Sequence, residues 1–131
     1  MELLRSDYST RVATNGEGAL EIAMGDKQPD LVLLDVMMPW INGYEVCRRL
    51  KESPKTQGIP IIFLSGRSET EDIVKGFQAG AVDYVTKPFS VEELCARVKT
   101  HLALKKAKAD LEEALASVKQ LYPDLAKKVL G

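Results

Sequence analysis

Two apolar runs without polar interruption constrain the fold of this chain more than any other feature of its sequence. The first reads LVLLD over residues 31–35, and the second reads IPIIFLS over residues 59–65. Such runs are typical of strands buried on both faces, as in parallel sheets that helices cover. The aspartate that ends the first run is of interest because ligands bind at the carboxyl ends of strands in open α/β sheets.

The segments around these runs alternate between strand and helix patterns. The sequence predicts an edge strand at 10–14, helices at 16–25, 42–52 and 70–79, a short strand at 82–86, and a long helix that begins with the capping box SVEE at 90–93. The helix at 70–79 places Ile73, Val74 and Phe77 on one face. Strands separated by helices of this length predict right-handed crossovers and a parallel sheet.

Composition and charge narrow the classes of function. The 131 residues carry 18 Lys and Arg against 19 Asp and Glu, so no overall field favours nucleic acid or an anionic membrane. No apolar run approaches the roughly 20 residues of a membrane-spanning helix, and no leader pattern opens the chain. Cys47 and Cys95 are expected to be reduced thiols, and His101 to be structural. We therefore expect a cytoplasmic protein without direct nucleic-acid or membrane binding.

The composition changes after Leu104. From there the chain is rich in Ala, Lys, Glu and Leu, and apolar residues recur four and three apart in a heptad seam: Leu111, Leu115, Val118, Tyr122, Leu125 and Val129. Pro123 is expected to kink or end the helix near Tyr122. Two interpretations follow for residues 105–131. They form either an amphipathic extension that packs on its own domain, or a linker that dimerises the protein or joins it to an output domain.

Three polar residues fall at equivalent places in the predicted sheet. Asp35 ends one buried strand, Ser65 ends the next, and Lys87 follows the last. In a parallel sheet all three lie at the same carboxyl edge. A carboxylate nucleophile with a hydroxyl and an ammonium to hold phosphoryl oxygens suits phosphoryl transfer. Pro88 follows Lys87, and a cis peptide bond is the expected reason for a proline there.

These residues belong to motifs that resemble a known family. The motifs DVMMP, FLSG and GAVDYVTKPF, at their mutual spacing, are similar to those of the receiver domain of two-component response regulators, the CheY-like family. The likeness runs from the first residues to Leu104, which makes 1–104 the expected receiver domain. It implies a flavodoxin-like, doubly wound parallel sheet and an aspartate phosphorylated by a histidine kinase or phosphotransfer protein.

The resemblance also implies roles for individual residues. Asp35 would be the phospho-acceptor, Ser65 the switch hydroxyl, Lys87 its cationic partner, and Tyr84 an aromatic that changes rotamer when Ser65 moves. Asp35 and the backbone carbonyl of Met37 would be Mg²⁺ ligands. These roles agree with the chemistry, because phosphoryl transfer depends on positioning and charge neutralisation by metal and lysine.

The sequence departs from the family at its start. The family's first strand ends in an acidic pair that holds Mg²⁺, and the residues before Asp35 match only the end of the first helix and the second strand. We therefore expect an N-terminally truncated sheet and weakened or absent Mg²⁺ binding. The explanations are a fragment or mis-started product, a gap filled by another chain or by direct pairing of 10–14 with 31–35, a swapped arrangement using 127–131, and a naturally degenerate receiver.

Three functions compete on this sequence. The first is a phosphorylation-controlled signalling receiver, which is not itself an enzyme. The second is a degenerate, phosphate-independent receiver that acts as a dimerisation scaffold through residues 105–122. The third is a phosphohydrolase similar to the haloacid dehalogenases, and it is disfavoured because Met37 stands where that chemistry needs a second carboxylate.

Overall fold

The computed structural model describes residues 8, 11, 13–124 and 127. Strands and helices alternate along this part of the chain, as the sequence predicts. The elements are α1 (Gly16–Met24), β1 (Val32–Leu34), α2 (Gly43–Glu52), β2 (Ile61–Ser65), α3 (Thr70–Gln78), β3 (Asp83–Thr86) and α4 (Val91–Leu121). The predicted order of elements is therefore confirmed from α1 onward.

The three strands form one parallel sheet in the order β1-β2-β3. Val32 is in register with Ile61, and Ile62 is in register with Asp83. Each connection between neighbouring strands contains a helix, as parallel pairing requires. The prediction of a parallel α/β sheet is confirmed. β2 lies at the centre of the sheet and is fully buried except at Leu64, which explains its uninterrupted apolar sequence.

The outer edge of β1 faces a groove. Within the described residues β1 pairs only with β2, and the predicted strand at 10–14 is not part of the sheet where it is described; Thr10 and Val12 lie outside the described residues. The groove has a volume of about 960 Å³ and is lined by β1, by α1 and by Val98 and Leu102 of α4. It occupies the place where the sequence predicts a missing strand.

Hydrophobic cores lie on both faces of the sheet. One core packs α1 and α2 against the sheet and includes Leu50 and Phe63, both fully buried. The other packs α4 against the sheet and includes Ile62 and Leu94. Because neighbouring residues of β2 point to opposite faces, Ile62 and Phe63 enter different cores. The Cys47 thiol is buried in the first core, and both cysteines are free.

Side-chain caps fix where three helices begin. Asn15, Asn42 and Ser90 each accept a hydrogen bond from a backbone N–H of the first turn that follows. Ser90 is therefore the predicted N-cap of α4. The Glu93 carboxylate bonds to Arg97 one turn later and forms a helical ion pair rather than the reciprocal half of a capping box.

The apolar residues that the sequence places on one face of α3 are not all buried. Val74 is 45% exposed and Phe77 is 47% exposed, and the buried residue of this helix is Gly76. A Cβ on Gly76 would lie 2.8 Å from the Tyr84 ring and 3.2 Å from the Phe63 ring. The absent side chain lets α3 approach the sheet closely, and this approach leaves the larger apolar residues of the helix at the surface.

α4 extends well beyond the sheet. It runs for 31 residues and ends at Leu121, two residues before Pro123, in agreement with the prediction for this proline. Lys105 forms an ion pair with Asp30, and residues 106–121 beyond it are exposed apart from Leu115. In the described part of the chain, no helix combines the length and the hydrophobicity needed to cross a membrane.

Candidate functional site

The carboxyl ends of the strands bring the predicted site residues to one edge of the sheet. Asp35 directly follows β1, Ser65 is the last residue of β2, and Lys87 directly follows β3. The backbone N–H of Lys87 donates to the Ser65 carbonyl at 2.8 Å, so these two strand ends are joined. This placement follows from parallel pairing, since all strands of such a sheet end on the same side.

The Asp35 carboxylate lies between an amide and an ammonium. The backbone N–H of Met37 donates to Oδ1 at 3.0 Å, and the Lys87 Nζ lies 3.3 Å from Oδ2. The Asp35 side chain is 42% exposed, and that of Lys87 is 48% exposed. A carboxylate that is held in place but open to solvent can meet an external electrophile, and the lysine can neutralise negative charge that arises there.

Gly43 supports the backbone beneath this carboxylate. Its N–H donates to the Val36 carbonyl at 2.8 Å, and a Cβ at this position would collide with the Asp35 carbonyl. Asn42, the residue before it, caps α2. The Asn-Gly pair therefore both starts the helix and permits close packing against the backbone at the end of β1, a role that the sequence analysis did not assign.

The Ser65 hydroxyl is buried, with the residue 1% exposed. Its Oγ accepts a hydrogen bond of 3.1 Å from the backbone N–H of Arg67. A hydroxyl that accepts one hydrogen bond keeps its own proton free to donate. Ser65 is thus oriented by the loop that follows β2 and can donate to an oxygen at the carboxyl edge.

Tyr84 points into the protein. Its ring packs beside Gly76 and lies 5.8 Å, between centroids, from Phe63. Its hydroxyl donates to the Arg67 carbonyl at 2.8 Å. The inward Tyr84 therefore touches the same loop that orients Ser65, although the two residues lie on different strands.

A second tyrosine continues this aromatic cluster. Tyr44 of α2 packs against Phe63 at 5.4 Å between ring centroids, and its hydroxyl donates to the Asp72 carbonyl at 3.0 Å. Burial, together with the neighbouring Tyr84 hydroxyl, raises the pKa of Tyr44 to about 12. Tyr44 therefore stays a neutral donor that ties the first turn of α3 to the rest of the site.

The peptide bond between Lys87 and Pro88 is cis. It lies in the turn between β3 and α4, where the sequence predicts it. Trp40, in the loop after β1, is 92% exposed and has a φ of 70°, in the left-handed region. The loops at this edge thus contain the two most unusual backbone conformations among the described non-glycine residues.

Arg67 is the residue that the sequence analysis missed. Its backbone contacts both Ser65 and Tyr84, and its guanidinium lies 3.2 Å from the Met37 sulfur and 3.7 Å from the Asp72 carboxylate. No periodicity marks it, because it lies in the irregular loop SGRSE. Only the tertiary contacts give it a place in the site.

Magnesium ligands at this edge are few. Among residues 8, 11, 13–124 and 127, no three His, Cys, Asp or Glu side chains form a group that could hold a metal ion. Asp35 offers one partly exposed carboxylate, and the Met37 carbonyl is the second ligand that the family resemblance implies. Since Mg²⁺ prefers octahedral oxygen coordination but keeps several waters, these two donors fit a weak site that water and phosphate oxygens would complete.

A second polar cluster joins β3 to α4 at Asp83. The Arg97 Nη1 lies 2.9 Å from both carboxylate oxygens, and the His101 Nε2 lies 3.1 Å from Oδ2. Burial raises the pKa of Asp83, but the hydrogen bonds from Arg97 and His101 outweigh it and hold the pKa below its usual value. His101 therefore belongs to a structural cluster, in agreement with its predicted role.

Comparisons of the sequence with known proteins identify a family of similar domains. A model of the family described as the response regulator receiver domain matches residues 1–99. A probable cyclic di-GMP phosphodiesterase of Vibrio cholerae is 50% identical over 101 residues, which is 77% of this chain and 23% of that protein. Other relatives are response regulators and transcriptional regulators. The chain spans less than half the length of these curated relatives.

Solved structures show the same similarity. A putative response regulator from Chloroflexus aurantiacus superposes with a TM-score of 0.74 at 40% identity, covering 78% of this chain and 84% of that one. The receiver domain of the sensor histidine kinase PA1611 from Pseudomonas aeruginosa superposes with a TM-score of 0.71 at 28% identity, with the same coverage of both chains. That structure has a magnesium ion coordinated in its active-site cleft.

Proposed function

The chain belongs to the response regulator receiver domain family, and from this premise we propose that Asp35 accepts a phosphoryl group from a histidine kinase or phosphotransfer protein. The contact between Asp35 and Lys87 carries the proposal, because it places a nucleophile and a cation together at the carboxyl edge. Phosphorylation would then change which partner the domain binds.

The proposed chemistry is a single phosphoryl transfer. A carboxylate oxygen of Asp35 attacks phosphorus, the P–N bond of a phosphohistidine donor breaks, and its electron pair returns to the ring nitrogen. The product is an aspartyl phosphate. Lys87 would neutralise charge on the phosphoryl oxygens, and the Ser65 hydroxyl would donate a hydrogen bond to one of them. Mg²⁺, when held by Asp35 and the Met37 carbonyl, would supply further positive charge.

Signalling would follow from the loop after β2. In the present structure Ser65 and Tyr84 both bond to the backbone of Arg67. If Ser65 moves toward a phosphoryl oxygen, this loop moves with it, and Tyr84 loses or changes its hydrogen bond. We assign Tyr84 the role of the aromatic switch on this basis. The domain itself would be a binding module rather than an enzyme, with residues 1–104 as the receiver.

Intact-mass measurement after incubation with acetyl phosphate and Mg²⁺ tests the proposal. Wild-type protein should gain one phosphoryl group, whereas Asp35→Asn should gain none. Asp30→Asn is a matched control, because Asp30 is an exposed carboxylate of the same segment and should react like wild type. No gain in the wild type, or an equal gain in Asp35→Asn, would remove Asp35 from this role.

A second candidate is a scaffold that dimerises through α4. Its support is the exposed apolar seam, in which Leu111 and Tyr122 are both 59% exposed. A seam of this period fits a partner helix. This function predicts a dimer by light scattering that truncation after Leu104 abolishes. It also predicts partner binding that Asp35→Asn leaves unchanged, which distinguishes it from the phosphorylation-controlled receiver.

A further inference from the structure

Arg67 contributes only its backbone to the function proposed above, and its side chain has no role there. Its N–H donates to the Ser65 Oγ at 3.1 Å, and its carbonyl accepts from the Tyr84 hydroxyl at 2.8 Å. One peptide segment therefore separates the proposed switch hydroxyl from the proposed switch aromatic. A displacement of Ser65 therefore either breaks its hydrogen bond with Arg67 or moves the loop that contains Arg67.

The Arg67 side chain lies against Met37, the residue whose backbone N–H holds the Asp35 carboxylate. Its Nη2 lies 3.2 Å from the Met37 sulfur, and the Met37 N–H donates to the Asp35 Oδ1. Lys87 contacts Oδ2 of the same carboxylate. Lys87 therefore contacts Asp35 directly, whereas the Arg67 guanidinium lies beside Met37, two residues further along the chain.

Asp72 holds the Arg67 guanidinium in place. The Arg67 Nη1 lies 3.7 Å from the Asp72 Oδ1, and the two side chains are 49% and 20% exposed. An ion pair of this length with an exposed partner is weak. A phosphoryl group carries more negative charge than one carboxylate, and the planar guanidinium can bond two of its oxygens at once. The guanidinium would therefore exchange Asp72 for a phosphoryl group on Asp35.

We propose that Arg67 is a second phosphoryl-binding cation. Its guanidinium is paired with Asp72 before the reaction and binds the phosphoryl group on Asp35 once that group is present. This inference rests on the proposed function, because it needs a phosphoryl group at Asp35. It makes Asp72 a restraint on the reaction, although Asp72 lies on α3 and touches Arg67 rather than the acceptor.

The rate of phosphorylation by acetyl phosphate tests the proposal through opposite effects of two substitutions in one ion pair. Arg67→Ala should lower the rate roughly threefold to tenfold, since one charge-assisted contact is lost, and Arg67→Lys should lie between it and wild type. Asp72→Asn should raise the rate roughly twofold to threefold, because Arg67 is no longer held back. In the double variant, Asp72→Asn should have no further effect.

The double variant distinguishes an effect of Asp72 that acts through its pairing with Arg67 from a general electrostatic effect of the Asp72 charge. If Asp72 acts only through its negative charge, Asp72→Asn still raises the rate when Arg67 is absent, and the proposal is wrong. Arg48→Ala and Glu52→Gln make the same charge changes in an exposed pair of 4.0 Å on α2 and should leave the rate unchanged.

If Arg67→Ala and Asp72→Asn both lower or both raise the rate of phosphorylation, the ion pair is structural. That result would overturn the inference while leaving Asp35 as the acceptor. A wild-type protein that gains no phosphoryl group on Asp35 would overturn the proposed function and this inference together. Thermal unfolding of each variant checks that the fold is retained, as the exposed position of the pair predicts.

Discussion

The ammonium of Lys87 lies 3.3 Å from the carboxylate of Asp35, although 52 positions separate the two residues in the chain. The contact exists because both residues directly follow strands of one parallel sheet. It is partly exposed, and exposed ion pairs typically contribute less than about 1 kcal/mol to stability. It therefore contributes little to folding, and the role that we propose for it is in phosphoryl transfer.

Replacing Lys87 by Met should distinguish the effect of this contact on phosphorylation from its effect on stability. We expect the rate of phosphorylation by acetyl phosphate to fall roughly tenfold or more, because the phosphoryl oxygens lose a cation. The free energy of unfolding in urea should change by less than about 1 kcal/mol. Lys105→Met removes a second long-range Lys–Asp pair, seen among the described residues, and should leave the rate unchanged. An unchanged rate in Lys87→Met would contradict the proposed role of this lysine.

Gly76→Ala should destabilise the protein by about 1–3 kcal/mol, the usual range for overpacking a core. The added methyl group would meet the Tyr84 ring at 2.8 Å. Urea unfolding measures the effect, and Gly58→Ala is the matched control because nothing lies within 4 Å of a Cβ there. Similar stabilities of the two variants would show that α3 can move away from Tyr84 at little cost.

The cluster around Asp83 should make stability depend on pH in the acid range. Its folded-state pKa is lowered from 3.8, so its contribution is present above that value and is lost as the pH falls through the folded-state pKa. Asp83→Asn removes this dependence. The stability difference between wild type and Asp83→Asn should therefore shrink on acidification below pH 3.8, as measured by urea unfolding. A constant difference would mean that Arg97 and His101 do not lower the pKa of Asp83.

The Cys47 thiol should resist alkylation in the folded protein. Burial raises its pKa to about 11, so roughly one molecule in 10,000 carries a thiolate at neutral pH. In a Cys95→Ser variant, iodoacetamide should add no label until urea unfolds the protein, as intact mass will show. Labelling of the folded variant at the rate of a free thiol would place Cys47 outside the core.

Truncation after Leu104 should leave the receiver domain folded. Residues 106–121 are exposed apart from Leu115, and the contact to the domain that is lost among the described residues is the partly exposed pair between Lys105 and Asp30. We expect a change of less than about 1 kcal/mol in the free energy of unfolding. A larger loss would favour the alternative in which the extension packs on its own domain.

The sequence predicted much of the fold because the relevant signals are local. Uninterrupted apolar residues identified β1 and β2, and the capping box SVEE and Pro123 identified the ends of α4. Where the sequence was not sufficient, the cause is packing between different helices and strands. The apolar pattern of α3 groups Val74 and Phe77 on one face but does not predict their exposure, because the close approach at Gly76 depends on Phe63 and Tyr84 of other strands.

The candidate site likewise contains some residues whose positions the sequence predicts and others whose positions it does not. The placement of Asp35, Ser65 and Lys87 at strand ends could be predicted, because parallel strands end on one side of a sheet. Their functional roles remain proposals. The position of Arg67 between Ser65, Tyr84 and Asp72 could not be predicted, since irregular loops have no period that reports which side chains they meet.

The amino-acid sequence by itself thus determined the alternation of strands and helices, the parallel sheet and the edge at which its polar strand ends meet. Local periodicity and capping chemistry suffice for these features. Only the tertiary structure decided that Lys87 contacts Asp35, that Gly76 rather than Phe77 packs against the sheet, and that one loop residue touches both switch positions. Such contacts depend on distances between segments far apart in the chain, which no local pattern encodes.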